Sequence, residues 1–142
     1  MHEPTPPIAY RHPLRVYWED TDAGGVVFYA NYLKFFERAR TEWLRALGFS
    51  QQQMLQQDGL LFVVADTSLR YLRSARLDDL LEVTVAVAAA GRASLRLQQQ
   101  AWRDGELLAE GTIRIGCVHA GTGASAGFRP GRIPAAILEK LR

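Results

Sequence analysis

Tyr32-Leu33-Lys34-Phe35-Phe36-Glu37-Arg38-Ala39-Arg40-Thr41-Glu42-Trp43-Leu44-Arg45-Ala46-Leu47 decides the fold of this chain. Tyr32, Phe35, Phe36, Ala39, Trp43 and Leu47 recur at spacings of three and four, which lines one face of an α-helix with bulky apolar groups. Lys34, Glu37, Arg38, Thr41, Glu42 and Arg45 take up much of the remaining surface. Arg38 and Glu42 stand four apart and can pair. Asn31 suits the N-cap, and Gly48 suits the stop just past the last turn. So much aromatic bulk on one stripe predicts a deeply packed helix.

Downstream, Ser50 to Gln57 reads as a short polar helix ending near Asp58-Gly59. From Leu60 the apolar period becomes two, the mark of half-buried strands. Leu61, Val63, Ala65, Leu69 and Tyr71 line one face of a first long strand. Leu81, Val83, Val85 and Val87 line a second, and Leu95 and Leu97 a third. Leu107, Ala109, Ile113, Ile115 and Cys117 line a fourth. Gly91-Arg92 makes a turn. Asp104-Gly105 predicts a tight hairpin, since both central residues of a type I′ turn need positive φ. Ala120 to Gly127 is a loop by composition, and Pro134 suits the first residue of a short C-terminal helix.

One long helix followed by four antiparallel strands is an α+β pattern, with one layer of each. Such a pair leaves a sheet face or edge without a partner, so an oligomer is expected. Upstream, Met1 to Pro13 holds four prolines and reads as an extended tail, and Leu14 to Trp18 as a short strand. A single domain over 1–142 is expected.

Composition narrows the function. The 142 residues are 48% apolar, and 17 Lys and Arg nearly balance 15 Asp and Glu. A net charge of +2 gives no case for nucleic acid. The single cysteine, Cys117, rules out an internal disulfide and lies in an apolar alternation, where free thiols act as small hydrophobes. His2, His12 and His119 share no metal-ligand spacing. No apolar run reaches the roughly 18 residues a membrane span requires, and the first residues lack the apolar run of a signal peptide. These features lead to the expectation of a cytoplasmic protein with no metal or cofactor.

Just before the helix lies Glu19-Asp20-Thr21-Asp22-Ala23-Gly24-Gly25-Val26-Val27-Phe28-Tyr29-Ala30-Asn31. Three carboxylates and a Gly-Gly pair lead into a helix N-terminus. The helix end can stabilise an oxyanion, and a carboxylate can attack or activate water, a combination suited to acyl transfer or hydrolysis. A calcium loop begun at Asp20 fails: Val26-Val27-Phe28 offers no side-chain oxygen, and Asn31 stands where a bidentate glutamate is needed.

Arg15-Val16-Tyr17, the acidic-glycine segment, Tyr32, Phe36-Glu37-Arg38-Ala39-Arg40-Thr41-Glu42 and Ala75-Arg76-Leu77-Asp78-Asp79-Leu80 together resemble a known family. It is the hotdog-fold thioesterases of the 4-hydroxybenzoyl-CoA thioesterase type, above all their Tol–Pal-associated acyl-CoA branch. The resemblance runs from about Leu14 to the C-terminal helix. It implies a hotdog fold, a curved antiparallel sheet wrapped around the long helix. It also implies homodimers or homotetramers with active sites at the interface, an acyl-CoA substrate and a thioester hydrolase activity. In the family motif the second aspartate of Asp-Thr-Asp is catalytic, which falls here on Asp22. The backbone N–H that polarises the thioester oxygen falls on Tyr29. Many members of the Tol–Pal branch carry histidine at that position; the 4-hydroxybenzoyl type carries tyrosine.

For such a reaction Asp22 can attack the carbonyl or deprotonate water. Gly24 and Gly25 allow close substrate approach. As a bare Asp in a turn, Asp22 could equally be a structural residue; the family motif selects the catalytic reading. Asp20 is expected to hold the loop by hydrogen bonds, and Glu19 to be a strand-end or surface charge. Glu37 is a candidate for the acyl group or for an ion pair with Lys34. Arg73 and Arg76 are candidates for the coenzyme A phosphates, as are Arg92, Arg129 and Arg132; each could equally be a solvated surface arginine. A non-catalytic acyl-CoA or acyl-carrier binding module is the alternative reading, and Asp22 argues against it. A dehydratase would want a histidine beside its carboxylate, and none lies in this segment or in the long helix.

Overall fold

The structure, a computed structural model, describes residues 5–120 and 129–141. Residues 121–127 of the expected loop fall outside that range. In chain order the elements are β1 (Ile8–Arg15), a 3-10 turn (Trp18–Asp20), α1 (Asn31–Ala46) and α2 (Gln51–Asp58). There follow β2 (Leu60–Tyr71), β3 (Leu80–Ala90), β4 (Ser94–Arg103), β5 (Glu106–His119), β6 (Arg129–Pro130) and α3 (Ala135–Lys140). The strands form one antiparallel sheet in the order β1-β3-β4-β5-β2, with β6 paired to the end of β5. The sheet wraps around α1 in the hotdog arrangement.

The aromatic stripe packs as its spacing requires. Phe35, Phe36 and Ala39 are fully buried, and Tyr32 and Trp43 nearly so. They meet Val83, Val85, Leu95, Leu97, Ala101, Ile113 and Cys117 from the concave face of the sheet. Full burial of one such side chain contributes about 1.5–3 kcal/mol. Glycines stop α1 and α2. Gly48 takes φ 94, its N–H reaches Arg45 O, and the N–H of Phe49 reaches Leu44 O, a Schellman close. Gly59 closes α2 at φ 66, and Ser50 caps the start by accepting from Gln53 N. Asp104 (φ 50) and Gly105 (φ 79) form the two-residue hairpin between β4 and β5.

The structure corrects several expectations. Ile8 to Pro13 is not a free tail: it forms most of β1, paired to β3 from Ile8↔Ala86 to Arg15↔Leu80. Proline is tolerated there because β1 is an edge strand, where one N–H can be missing without breaking a ladder. Residues Trp18 to Asp20 turn instead of extending the strand. Pro134 precedes the first residue of α3 rather than being it. Glu42 pairs with Arg45, one turn away, and not with Arg38.

In β2 the apolar alternation changes face. Phe62 pairs with Cys117 and Val64 with Ile115, but Asp66 pairs with Arg114 and Thr67 with Ile113. Ala65 is the extra residue of a β-bulge, which inverts the side-chain parity. Leu60 and Phe62 therefore share the concave face with Leu69 and Tyr71, while Leu61 and Val63 turn away. A second bulge at Leu108 buries that residue in place of Leu107.

Candidate active site

The acidic-glycine segment is a small hairpin set against the start of α1. Thr21 and Val27 pair as an antiparallel bridge, and Asp22 N donates to Val26 O at 2.9 Å. Gly25 N donates to Asp22 O at 3.0 Å, which closes a β-turn over Ala23 and Gly24. Gly25 follows at φ 80, a left-handed conformation that costs a Cβ-bearing residue about 1–2 kcal/mol. This is the physical reason for the second glycine.

Within this hairpin Asp22 is exposed and directed by its own turn. Its Oδ1 accepts from Gly24 N at 2.8 Å and from Val26 N at 3.4 Å. Among the described residues nothing donates to Oδ2, and no cation pairs with the carboxylate. One oxygen is thus fixed and the other uncommitted among the described residues.

Asp20, two residues earlier, is buried and structural, as expected. Its Oδ2 accepts from Tyr17 N at 2.8 Å. Its carbonyl accepts from Phe28 N at 3.0 Å and from the Asn31 side-chain amide at 2.9 Å. Asn31 was expected to cap the helix. Instead it is the first helical residue, Ala30 is the N-cap, and the Asn31 amide clasps the base of the hairpin. That clasp brings the hairpin up to the helix end. Among the described residues no acceptor takes the N–H of Tyr29, the position expected to supply the oxyanion donor.

Tyr29 borders a cavity of about 170 Å³ with Val27, Tyr32, Tyr71, Leu72, Arg73 and Ser74. Its ring stands edge-on to Tyr71 at 6.0 Å, and Tyr71 lies 5.6 Å from Tyr32. Burial raises the phenol pKa of both Tyr32 and Tyr71, which keeps these rings neutral walls. Tyr32 is fixed at its far end, where its hydroxyl accepts from Ala75 N at 3.2 Å.

The other expected site residues disperse. Arg73 borders this cavity, with its Nε 3.4 Å from Glu106 Oε2. Arg76 reaches the hairpin through its backbone, which bridges Val26; among the described residues its guanidinium makes no hydrogen bond or ion pair. Glu37 lies elsewhere, bordering a separate cavity of about 160 Å³ with Arg40, Trp43, Phe62, Val64 and Ile115. Its carboxylate accepts from Thr41 Oγ1 at 3.0 Å and makes no ion pair with Lys34. Sequence reasoning missed Tyr71 and Asn31 as parts of this site. Tyr71 comes to it only through the bulge in β2, which no periodicity displays.

Comparison with known proteins places the fold in a family. A family model described as the thioesterase-like superfamily matches residues 16–141. An acyl-CoA thioesterase YbgC of Haemophilus influenzae is 46% identical over 112 residues, spanning 79% of this chain and 82% of that protein. The crystal structure of a probable thioesterase from Bartonella henselae is 30% identical, with a TM-score of 0.79 over 88% of this chain and 98% of that one. A 4-hydroxybenzoyl-CoA thioesterase variant, solved with 4-hydroxybenzoyl-CoA, shares the fold at a TM-score of 0.84 and 18% identity, covering 93% and 97%. The family match runs from residue 16, just past β1, to residue 141 at the end of α3, and the chain belongs to the thioesterase-like superfamily.

Proposed function

We propose that this enzyme hydrolyses acyl-CoA thioesters at the junction of the Asp22 hairpin and the start of α1. One observation carries the reading: a carboxylate with one oxygen held and one open stands on a hairpin clasped to a helix N-terminus whose Tyr29 N–H has no described acceptor. The thioester oxygen accepts from that N–H, and the charge developing on it is met by a fixed dipole. Loss of one such donor typically costs about 3–4 kcal/mol of barrier. Asp22 Oδ2 then either attacks the carbonyl carbon or takes a proton from water that attacks it. In the first case the C–S bond breaks, the thiolate of coenzyme A leaves, and water cleaves the mixed anhydride. In the second the free acid forms directly. Gly25 leaves room at the turn, and Arg73 supplies a cation at the rim of the cavity.

The reading includes a homodimer, paired further into a homotetramer, with one active site per protomer at the interface. The free edge of β2 supports it, being long and open with Val64 and Tyr71 exposed on it. It also includes a cytoplasmic location, carried over from the composition of the sequence, and a link to the Tol–Pal system, which rests on the sequence resemblance alone. Among the described residues no helix is long and apolar enough to cross a membrane.

The experiment is thiol release from a panel of acyl-CoAs, short to long aliphatic plus 4-hydroxybenzoyl, with Asp22→Asn beside the wild type. Turnover by the wild type and a loss of at least a hundredfold in the variant are expected. Undiminished turnover by Asp22→Asn would remove the assigned mechanism, and no turnover by folded wild type would remove the activity.

A further inference from the structure

The Asp22 hairpin has a second support, built from residues remote in sequence. Val27 N donates to Ala75 O at 2.8 Å, and Val26 bridges to Arg76, so one strand of the hairpin is registered against the turn 75–79. That turn is thinly packed. Ala75 is buried, but Arg76, Leu77 and Asp78 are exposed, and Asp78 holds a left-handed φ of 71 without being glycine. Apolar contact is too sparse to fix such a turn, so polar groups must hold it.

Asp79 is the centre of those groups. Its Oδ2 accepts from Arg76 N at 2.8 Å and from Arg103 Nη1 at 2.8 Å. Asp79 N in turn donates to Arg76 O at 3.1 Å. Arg103 Nη1 also donates to Ser74 O at 3.2 Å, and its Nη2 to Glu106 Oε1 at 2.9 Å. The guanidinium comes from the end of β4, beside the Asp104-Gly105 hairpin, so the hairpin end of the sheet grips the turn. Hydrogen bonds of this charged kind are about twice as strong as neutral ones. On the other flank Asp78 N donates to Val16 O at 3.0 Å, and Arg15 Nη1 to Asp78 O at 2.7 Å.

We infer that Asp79, held by Arg103, is a positioning residue: it sets the turn 75–79, and through Val26 and Val27 it sets where Asp22 stands relative to the Tyr29 N–H. The inference rests on the assignment of Asp22 made above. It predicts a particular kinetic signature. A small displacement of a reacting group lowers the rate of chemistry more than it weakens substrate binding.

Asp79→Asn keeps the shape and gives up the charge. It is expected to lower kcat about ten- to a hundredfold with KM unchanged. Arg103→Lys is expected to retain more kcat than Arg103→Ala, because a cation still faces Asp79. Amide hydrogen exchange adds a readout independent of turnover: Val27 is expected to exchange faster in Asp79→Asn, with the amides of α1 unchanged. An unaltered kcat per folded molecule, or Val27 exchange equal to the wild type, would overturn the inference. Asp22→Asn run in parallel separates the two ideas. Its collapse beside a fully active Asp79→Asn removes only this inference. Its survival removes the assignment of Asp22, and the catalytic sense of Asp79 with it.

Discussion

Asp20 and Asp22 stand two residues apart and have opposite environments. Asp20 is buried among backbone donors, and Asp22 projects from a turn with one oxygen uncommitted. Sequence spacing cannot distinguish them, since both are Asp in a turn-forming segment; the family motif could. Asp79 is a third kind of carboxylate, and its chemistry is testable by pH. Burial alone would raise its pKa, but the Arg103 hydrogen bond, the Arg76 N–H and the two guanidinium charges outweigh burial and hold it below the ordinary carboxylate range. A carboxyl group with a depressed native pKa stabilises the fold above its unfolded value, about 3.9, and that contribution fades as pH falls through the lowered one. Thermal melts of Asp79→Asn should therefore lie below the wild type at pH 7, by about 1–3 kcal/mol of stability. The two curves should converge as pH drops below about 4. Parallel curves across that range would contradict the assignment.

Among the elements, α1 and β4 share a polar clip inside an apolar core. Gln99 is wholly buried on β4, at the position where the Leu95 and Leu97 alternation would place another apolar residue. Its amide nitrogen donates to Phe36 O at 3.0 Å and to Thr84 O at 3.2 Å, and its oxygen accepts from Arg40 Nη1 at 2.9 Å. Burial lowers the pKa of Arg40, which is half-buried at the edge of the core. Gln99→Leu would fill the volume but strand the guanidinium, and a loss of about 2–3 kcal/mol in urea unfolding is expected. A neutral result would mean that water replaces the amide. The helix and the Asp104-Gly105 hairpin were legible because local chemistry dictates them. The pairing of Ile8 to Pro13 was not, because only a waiting edge on β3 turns a proline-rich segment into a strand. Nor was the true face of β2, because a bulge is decided by its neighbour and leaves no periodic trace.

For the whole molecule, the same division holds at the site. Asp22 and Tyr29 are close in sequence, and their proposed roles follow from the motif. Asp79 lay unremarked within the Ala75 to Leu80 match, and Arg103 joins the site only because the sheet returns it there. The sheet also ends on β2, whose outer edge pairs with no other strand among the described residues. Two copies pairing along that edge would bury Val64, which is 52% exposed alone. Val64→Lys should then shift the protein toward monomer in sedimentation and lower turnover with it, since the active site is assigned to the interface. A monomeric wild type with full activity would defeat the interface assignment.

The bulge at Ala65 carries a consequence for how such an enzyme can change. It divides β2 into two phases, one set by Leu60 and Phe62 and the other by Leu69 and Tyr71. The first half borders the cavity of Glu37 and Arg40, and the second brings Tyr71 to the cavity of Tyr29. Loss or gain of a single codon at Ala65 would invert one half and spare the other. The two cavities are thus joined by a backbone but not by a common side-chain parity, so a one-residue insertion or deletion at the bulge would re-aim the lining of one pocket and leave that of the other.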